Sequence, residues 1–160
     1  MNIRKAKKED VSLLMEMWKE FMKDVVKMTN VDKRFKIHEA ISSNAEKERL
    51  KIFKKDVGSR KACILIAEDE GLPVGYTLAI TREDKGHKVG KFGYLSDIYV
   101  RKKFRGKGYG VKLLEETEFW FKKKGIKYMS LDVNVLNSGA HKLYEKFGYF
   151  NYGYEMRKKI

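Results

Sequence analysis

Apolar positions recur along the chain with two periods, and the switch between them divides it. Val11, Leu14, Met15, Trp18, Met22 and Val25 follow helical spacing behind the acidic pair Glu9 and Asp10, which predicts a helix over residues 8–26. A weaker helix is predicted over 34–56, with Ile37, Ile41, Ala45, Ile52 and Phe53 on one side and an unusually polar remainder. Residues 1–5 read as a short strand. After Val57-Gly58-Ser59 the period shortens. Residues 62–67 and 72–82 read as strands joined by a turn over 68–71, a hairpin with Pro73 at the start of its second strand. A polar loop over 83–90 leads into a strand over 91–100. A glycine-rich loop then opens a helix with Val111, Leu114 and Phe121 as apolar positions, stopped at Lys124-Gly125. A strand over 128–133 follows. Asn137-Ser138 caps a short helix with Ala140, Leu143, Tyr144 and Phe147 on one face, and residues 152–158 read as a last strand. The order is β-α-α-β-β-β-α-β-α-β, a mixed α/β or α+β sheet in a single domain over 1–160.

Composition narrows the setting. The 160 residues suffice for one domain with a real core. No apolar run reaches a membrane span and no secretory leader is visible at the N-terminus. The single Cys63 excludes an internal disulfide and reads as a small core residue, so the cytoplasm is the expected compartment. The net charge of +14 favours polyanionic partners, whereas a chain with 36% charged residues also suits adaptation to heat. No helix-turn-helix, zinc-ligand or RNP pattern supports nucleic-acid binding. His38, His87 and His141 are too scattered for a metal site.

Candidate chemistry centres on Arg105-Gly-Lys-Gly-Tyr-Gly110, which follows a strand and opens a helix. Glycines at a helix start let unpaired amides approach an anion, and Arg101, Lys102, Lys103, Arg105 and Lys107 add charge. The stretch reads as a phosphate or pyrophosphate site, or else as a basic turn with glycines for geometry alone. It matches neither the dinucleotide fingerprint nor the Walker motif.

Two motifs together are more specific. Arg105-Gly-Lys-Gly-Tyr-Gly110 resembles the Arg/Gln-x-x-Gly-x-Gly/Ala signature of the GNAT superfamily of acyl-CoA-dependent N-acyltransferases. The stretch from Asn137 to Tyr149 resembles that family's second motif, Asn-x-x-Ala-x-x-Leu-Tyr-x-Lys-x-Gly-Phe. The resemblance implies that amides from Gly106, Lys107, Gly108, Tyr109, Gly110 and Val111 hold the pyrophosphate of acetyl-CoA, with Arg105 and Lys107 nearby. It implies that pantetheine pairs with the backbone of Ile98, Tyr99 and Val100, and that Asn137, with Ala140 of the same motif, meets the cofactor. It implies that Tyr144 protonates the leaving thiolate and that the Ile98 amide stabilises the oxyanion.

The base is less determined. Some relatives carry Glu next to Asp in the strand before the loop; here the pair is Ser96-Asp97. Asp97 is a candidate base and equally a structural residue. Alternation sends neighbours to opposite faces, so a site facing position 96 has no side-chain base there, which leaves an already deprotonated amine or an acid such as Glu39. The acceptor is expected near residues 26–41 and the loop before Lys91, where Glu16, Glu20, Asp24, Asp32 and Glu39 could form an acidic cleft. The leading expectation is acetyl transfer to a primary amine, on a small molecule or a protein, in a ternary complex. The rivals are a silent acyl-CoA sensor and a basic nucleic-acid-docking module. With only one strand after the last helix, the sheet edge is expected to be covered by a second copy in a homodimer.

Overall fold

The computed structural model describes residues 1–29, 42–84, 86 and 90–156. Expectations for His38, Glu39, Asp32, His87, Ile37 and Ile41 lie outside the described residues.

One five-stranded sheet organises the chain, with strands in the order β1-β2-β3-β4-β5: β1 Asn2–Lys5, β2 Ala62–Asp69, β3 Leu72–Asp84, β4 Gly90–Val100 and β5 Met129–Leu131. The first three pairings are antiparallel and β4 pairs β5 in parallel. The β2–β3 hairpin turns on Glu70 and Gly71 with φ of 48° and 81°, the positive-φ pair that matches strand twist in a two-residue turn. Among the described residues, four α-helices cover the sheet: α1 Val11–Thr29, α2 Ser43–Asp56, α3 Tyr109–Lys123 and α4 Ser138–Lys146.

Strand alternation separates two cores. Leu14, Met17 and Trp18 of α1 and Phe53 of α2 pack on Ile64, Ile66, Tyr76, Leu78 and Tyr99. On the opposite face Tyr109 and Leu113 of α3 pack on Cys63, Leu65 and Ala67, while Leu114 and Phe121 join Tyr144 of α4 against Ala79 and Leu95. Each buried large apolar side chain contributes about 1.5–3 kcal/mol on removal from water. Cys63 sits in this packing, and burial pushes its thiol up to about 11, as fits a small core residue.

Three expectations are corrected. On α3 the inward stripe is Tyr109, Leu113, Leu114, Thr117 and Phe121, while Val111 is exposed at the mouth of the glycine loop. On α2 Phe53 is buried and Ala45 packs inward, but Ile52 is exposed. The expected last strand does not form over residues 152–156: Phe150 is 80% and Tyr152 95% exposed, and β5 is left at the sheet edge. The tail alternates apolar and polar side chains as a strand does, but among the described residues no neighbouring strand supplies the ladder that would fix it.

Candidate active site

The parallel ladder between β4 and β5 is short, running Gly93↔Met129, Tyr94↔Ser130 and Leu95↔Leu131. Beyond Leu95, β4 continues to Val100 paired to β3 alone. The sheet therefore opens between the two strands.

A bulge marks the start of the opening. Leu78 faces Asp97 and Ala79 faces Leu95, so Ser96 is the extra residue of β4. Its insertion lets Leu95 and Ile98 share the α3 face and turns Asp97 and Tyr99 toward α1 and α2. It also redirects the backbone. Before the bulge the Gly93 N–H donates to Tyr128 on the β5 side; after it the Arg101 N–H donates to the Val74 carbonyl on the β3 side. Antiparallel alternation then assigns the backbone groups of Asp97 and Tyr99 to β3 and turns those of Ile98 and Val100 to the open side. The Arg105 side chain uses this exposure, its Nε donating to the Val100 carbonyl at 2.8 Å.

At the end of β4 the glycine loop leads into α3. Gly106 and Gly108 have φ of 77° and 86°, and a Cβ at Gly106 would meet nothing within 4 Å. The left-handed conformation suits glycine and aims successive amides into one concavity. The first intrahelical bond runs from the Lys112 N–H to the Gly108 carbonyl, so the amides of Tyr109, Gly110 and Val111 precede it without intrahelical acceptors. The Tyr109 side chain is buried, so only its backbone faces the concavity.

The loop's cations are largely engaged. Arg105 reaches Asp24 at 2.6 Å and Lys102 reaches the same carboxylate at 2.8 Å. Burial would raise the Asp24 carboxyl, yet hydrogen bonds from Lys102 and Arg105 hold it below its ordinary value. Arg101 pairs with Glu16 and Glu20 and donates to the Pro73 carbonyl, and the Tyr99 hydroxyl donates to Glu20. Burial, then the Glu20 charge, pushes Tyr99 up to about 12. Lys107 lies over the Phe104 ring, 5.3 Å from its centroid. These ion pairs dismantle the expected acidic cleft among the described residues. Glu16, Glu20 and Asp24 instead clamp α1 to the loop.

Asp97 is 3% exposed and accepts from three side chains: Arg49 at 2.9 Å, Tyr76 at 2.9 Å and Ser96 at 3.0 Å. The Arg49 guanidinium lies over the rings of Trp18 and Phe53. Burial and then the Asp97 charge raise the Tyr76 hydroxyl well above its ordinary value. This carboxylate is committed to joining β4, β3 and α2. Sequence reading missed Arg49, although Ala45, Arg49 and Phe53 repeat every four residues, a charge in an inward stripe.

Tyr144 of α4 closes the opening from the α3 face. It is 7% exposed, packs in the cluster of Leu95, Leu114 and Phe121 that Ile98 also touches, and lies 5.6 Å from the Tyr149 ring centroid. Burial alone pushes its phenol up to about 12. Asn137 caps α4, its Oδ1 accepting from the Ala140 N–H at 3.2 Å, and its side-chain amide N–H2 takes no part in the cap.

A split sheet, an amide concavity at one end and a buried tyrosine beside the split together define an acyl-transferase scaffold. The sequence profile of the acetyltransferase (GNAT) family matches residues 22–149, and the chain belongs to this family. An uncharacterised N-acetyltransferase of Methanocaldococcus jannaschii is 33% identical over 88 residues, 54% of this chain and 52% of that protein. The chain spans about half or less of the length of the curated relatives it matches. Among solved structures, the tetramutant of a Bacillus halodurans protein superposes with a TM-score of 0.82 at 21% identity, covering 100% of both chains. A predicted acetyltransferase with acetyl-CoA from Clostridium acetobutylicum superposes at 0.74 and 19% identity, covering 99% of this chain and 95% of that one. These likenesses show the fold. No described helix is long and apolar enough to cross a membrane.

Proposed function

We propose that the protein transfers an acetyl group from acetyl-CoA to a primary amine by direct attack in a ternary complex. The observation that carries this reading is the opening between β4 and β5, which lies between the amide concavity of the glycine loop and the Tyr144 ring. The solved relative bearing acetyl-CoA supports the choice of donor.

In this reading the amides of Gly106 to Val111 hold the pyrophosphate, with dipole and unpaired N–H groups supplying the attraction. The pantetheine arm lies along β4 and pairs with Ile98 and Val100, as an added strand would. The Asn137 side-chain amide N–H2 meets the same arm. The Ile98 N–H receives the charge that develops on the thioester oxygen. Nitrogen attacks the carbonyl carbon, the C–S bond breaks, and the Tyr144 hydroxyl hydrogen-bonds and protonates the departing sulfur.

The test is thiol release from acetyl-CoA in the presence of a panel of primary amines. Release that depends on an amine is the expected result; acetyl-CoA binding without release from any amine would instead favour a sensor. Gly108→Glu places a carboxylate at the amide concavity and strains a left-handed position. It is expected to abolish acetyl-CoA binding in calorimetry, and retained affinity would refute this placement of the pyrophosphate.

The C-terminal tail supports a second element of this reading, a homodimer. Phe150, Tyr152, Tyr154 and Met156 are spaced two residues apart and are exposed, and among the described residues no strand pairs the outer edge of β5. A second copy of the chain offers both the edge and the apolar surface that such a segment lacks. Light scattering is expected to give twice the chain mass, and Tyr152→Ser with Tyr154→Ser the single mass. One-chain mass for the native protein across micromolar concentrations would exclude the dimer.

A further inference from the structure

Acetyl transfer requires that a protonated amine lose a proton before attack, and Asp97 is poorly placed to take it. Its carboxylate is buried and carries three donors, one of them a guanidinium. Taking up a proton there would break the Arg49 pair in the interior, a costly event. The carboxylates of α1 are held by Arg101, Lys102 and Arg105.

Among the described residues, one other carboxylate stands at the opening. Asp132 is the first residue of the chain beyond the last parallel pair, Leu95↔Leu131. Leu131 and Val133 pack into the α3 and α4 core, so alternation turns Asp132 to the other face of the sheet. That is the face of Arg49 and Tyr99, opposite Tyr144. Asp132 is exposed, and its Oδ2 accepts from the Tyr94 hydroxyl at 2.6 Å. The Arg82 guanidinium lies over the Tyr94 ring at 3.4 Å and steadies it. No ion pair engages Asp132 among the described residues. By register Asp132 stands level with Ser96, two residues before Ile98, roughly 7 Å along the strand. A side chain and one water cover that distance.

We infer that Asp132 is the general base for the acceptor amine, acting through water, with Tyr94 as the residue that positions it. The inference rests on the acetyl-transfer reading above. The ammonium gives one proton to water, which passes one to Asp132. The freed nitrogen lone pair forms the C–N bond, and the C–S bond breaks toward sulfur. Tyr144 protonates the thiolate, and the proton still on nitrogen returns through water to the phenolate. Asp132 releases its proton to solvent. One proton leaves per turnover, as the overall reaction requires. The arrangement places proton removal on the α1 and α2 face and proton delivery on the α3 and α4 face, on opposite sides of the thioester. Among the described residues, the charged and titrating groups shown facing Asp132 are Tyr94 of β4 and, behind it, Arg82 of β3.

The experiment measures thiol release against pH with a free α-amine peptide, a lysine peptide, spermidine and an aminoglycoside as acceptors. Buried Cys63 adds little background to the thiol reagent. Asp132→Asn is expected to lower kcat/KM at neutral pH on the order of 100-fold, with the acid limb displaced upward to the amine's own ionisation and the rate recovering in alkali. Acetyl-CoA affinity should be unchanged, and Asp132→Glu should restore the acid limb. Two results would overturn the inference: an Asp132→Asn profile coinciding with the native one, or a fall in activity with the limb unmoved, which would make Asp132 an anchor for the amine. Native protein that binds acetyl-CoA but releases no thiol with any acceptor would remove the acetyl-transfer reading itself, and this inference with it.

Discussion

Tyr144→Phe is expected to lower kcat on the order of 100-fold while leaving the dissociation constant for acetyl-CoA within about twofold. The substitution removes one oxygen and keeps the ring. Packing against Leu95, Leu114 and Phe121 and the tilt against Tyr149 are therefore retained. The loss falls on the departure of sulfur. Burial pushes the Tyr144 phenol up to about 12, so the hydroxyl stays protonated and meets the departing sulfur as a hydrogen-bond donor. As sulfur gains charge, the hydrogen bond strengthens, which makes the effect one of the transition state and places it in kcat. The high value also keeps the acid protonated throughout the working range. No alkaline fall in rate is expected from Tyr144 until pH approaches 12. Steady-state thiol release and calorimetry with acetyl-CoA check both halves; unchanged turnover removes Tyr144 from the mechanism.

The largest expected effect on stability is that of Arg49→Ala. The substitution strands the Asp97 carboxylate, which is 3% exposed, with only the Tyr76 and Ser96 hydroxyls to satisfy it. Breaking one partner of a buried pair costs about 3–5 kcal/mol. The stacking of the guanidinium on Trp18 and Phe53 is lost as well. For a chain of this size that is a fall in Tm of roughly 6–20 °C, readable by calorimetry. The deficit should shrink in the double variant with Asp97→Asn, whose neutral amide needs no counter-ion. A loss below about 1 kcal/mol would show that the pair contributes no more than a surface bridge.

Much of the fold was legible because most elements declare themselves locally. The apolar spacing of α1, the hairpin around Glu70-Gly71 and the glycine stop after α3 each depend on a few neighbouring residues. What escaped depends on partners distant in sequence. Arg49 is a polar residue in the α2 stripe until Asp97, 48 positions away, is brought beside it. Tyr152 and Tyr154 alternate as a strand does, but alternation supplies no neighbour to pair with. Val111 has the right period for the α3 core, yet the helix begins at Tyr109, which leaves that position over the loop mouth. The glycine loop and Tyr144 stood out because the family motifs they match keep fixed residue types at fixed spacing. Asp132 did not, because nothing in Leu131-Asp132-Val133 reveals that the ladder ends one residue earlier.

Ser96 carries a consequence well beyond its own side chain. A strand behaves as a carrier of phase, odd positions to one side and even to the other, and the bulge at Ser96 is a slip of one unit. Everything downstream to Val100 is read in the shifted phase. Without the slip, Asp97 would be thrust into the apolar α3 side, Ile98 would lie under Arg49, and the Ile98 amide would be spent on β3. The separation of a structural acid from the backbone we propose for catalysis is thus set by a count of residues, and with Ser96 kept, a return to regular alternation would exchange the two as surely as altering both side chains.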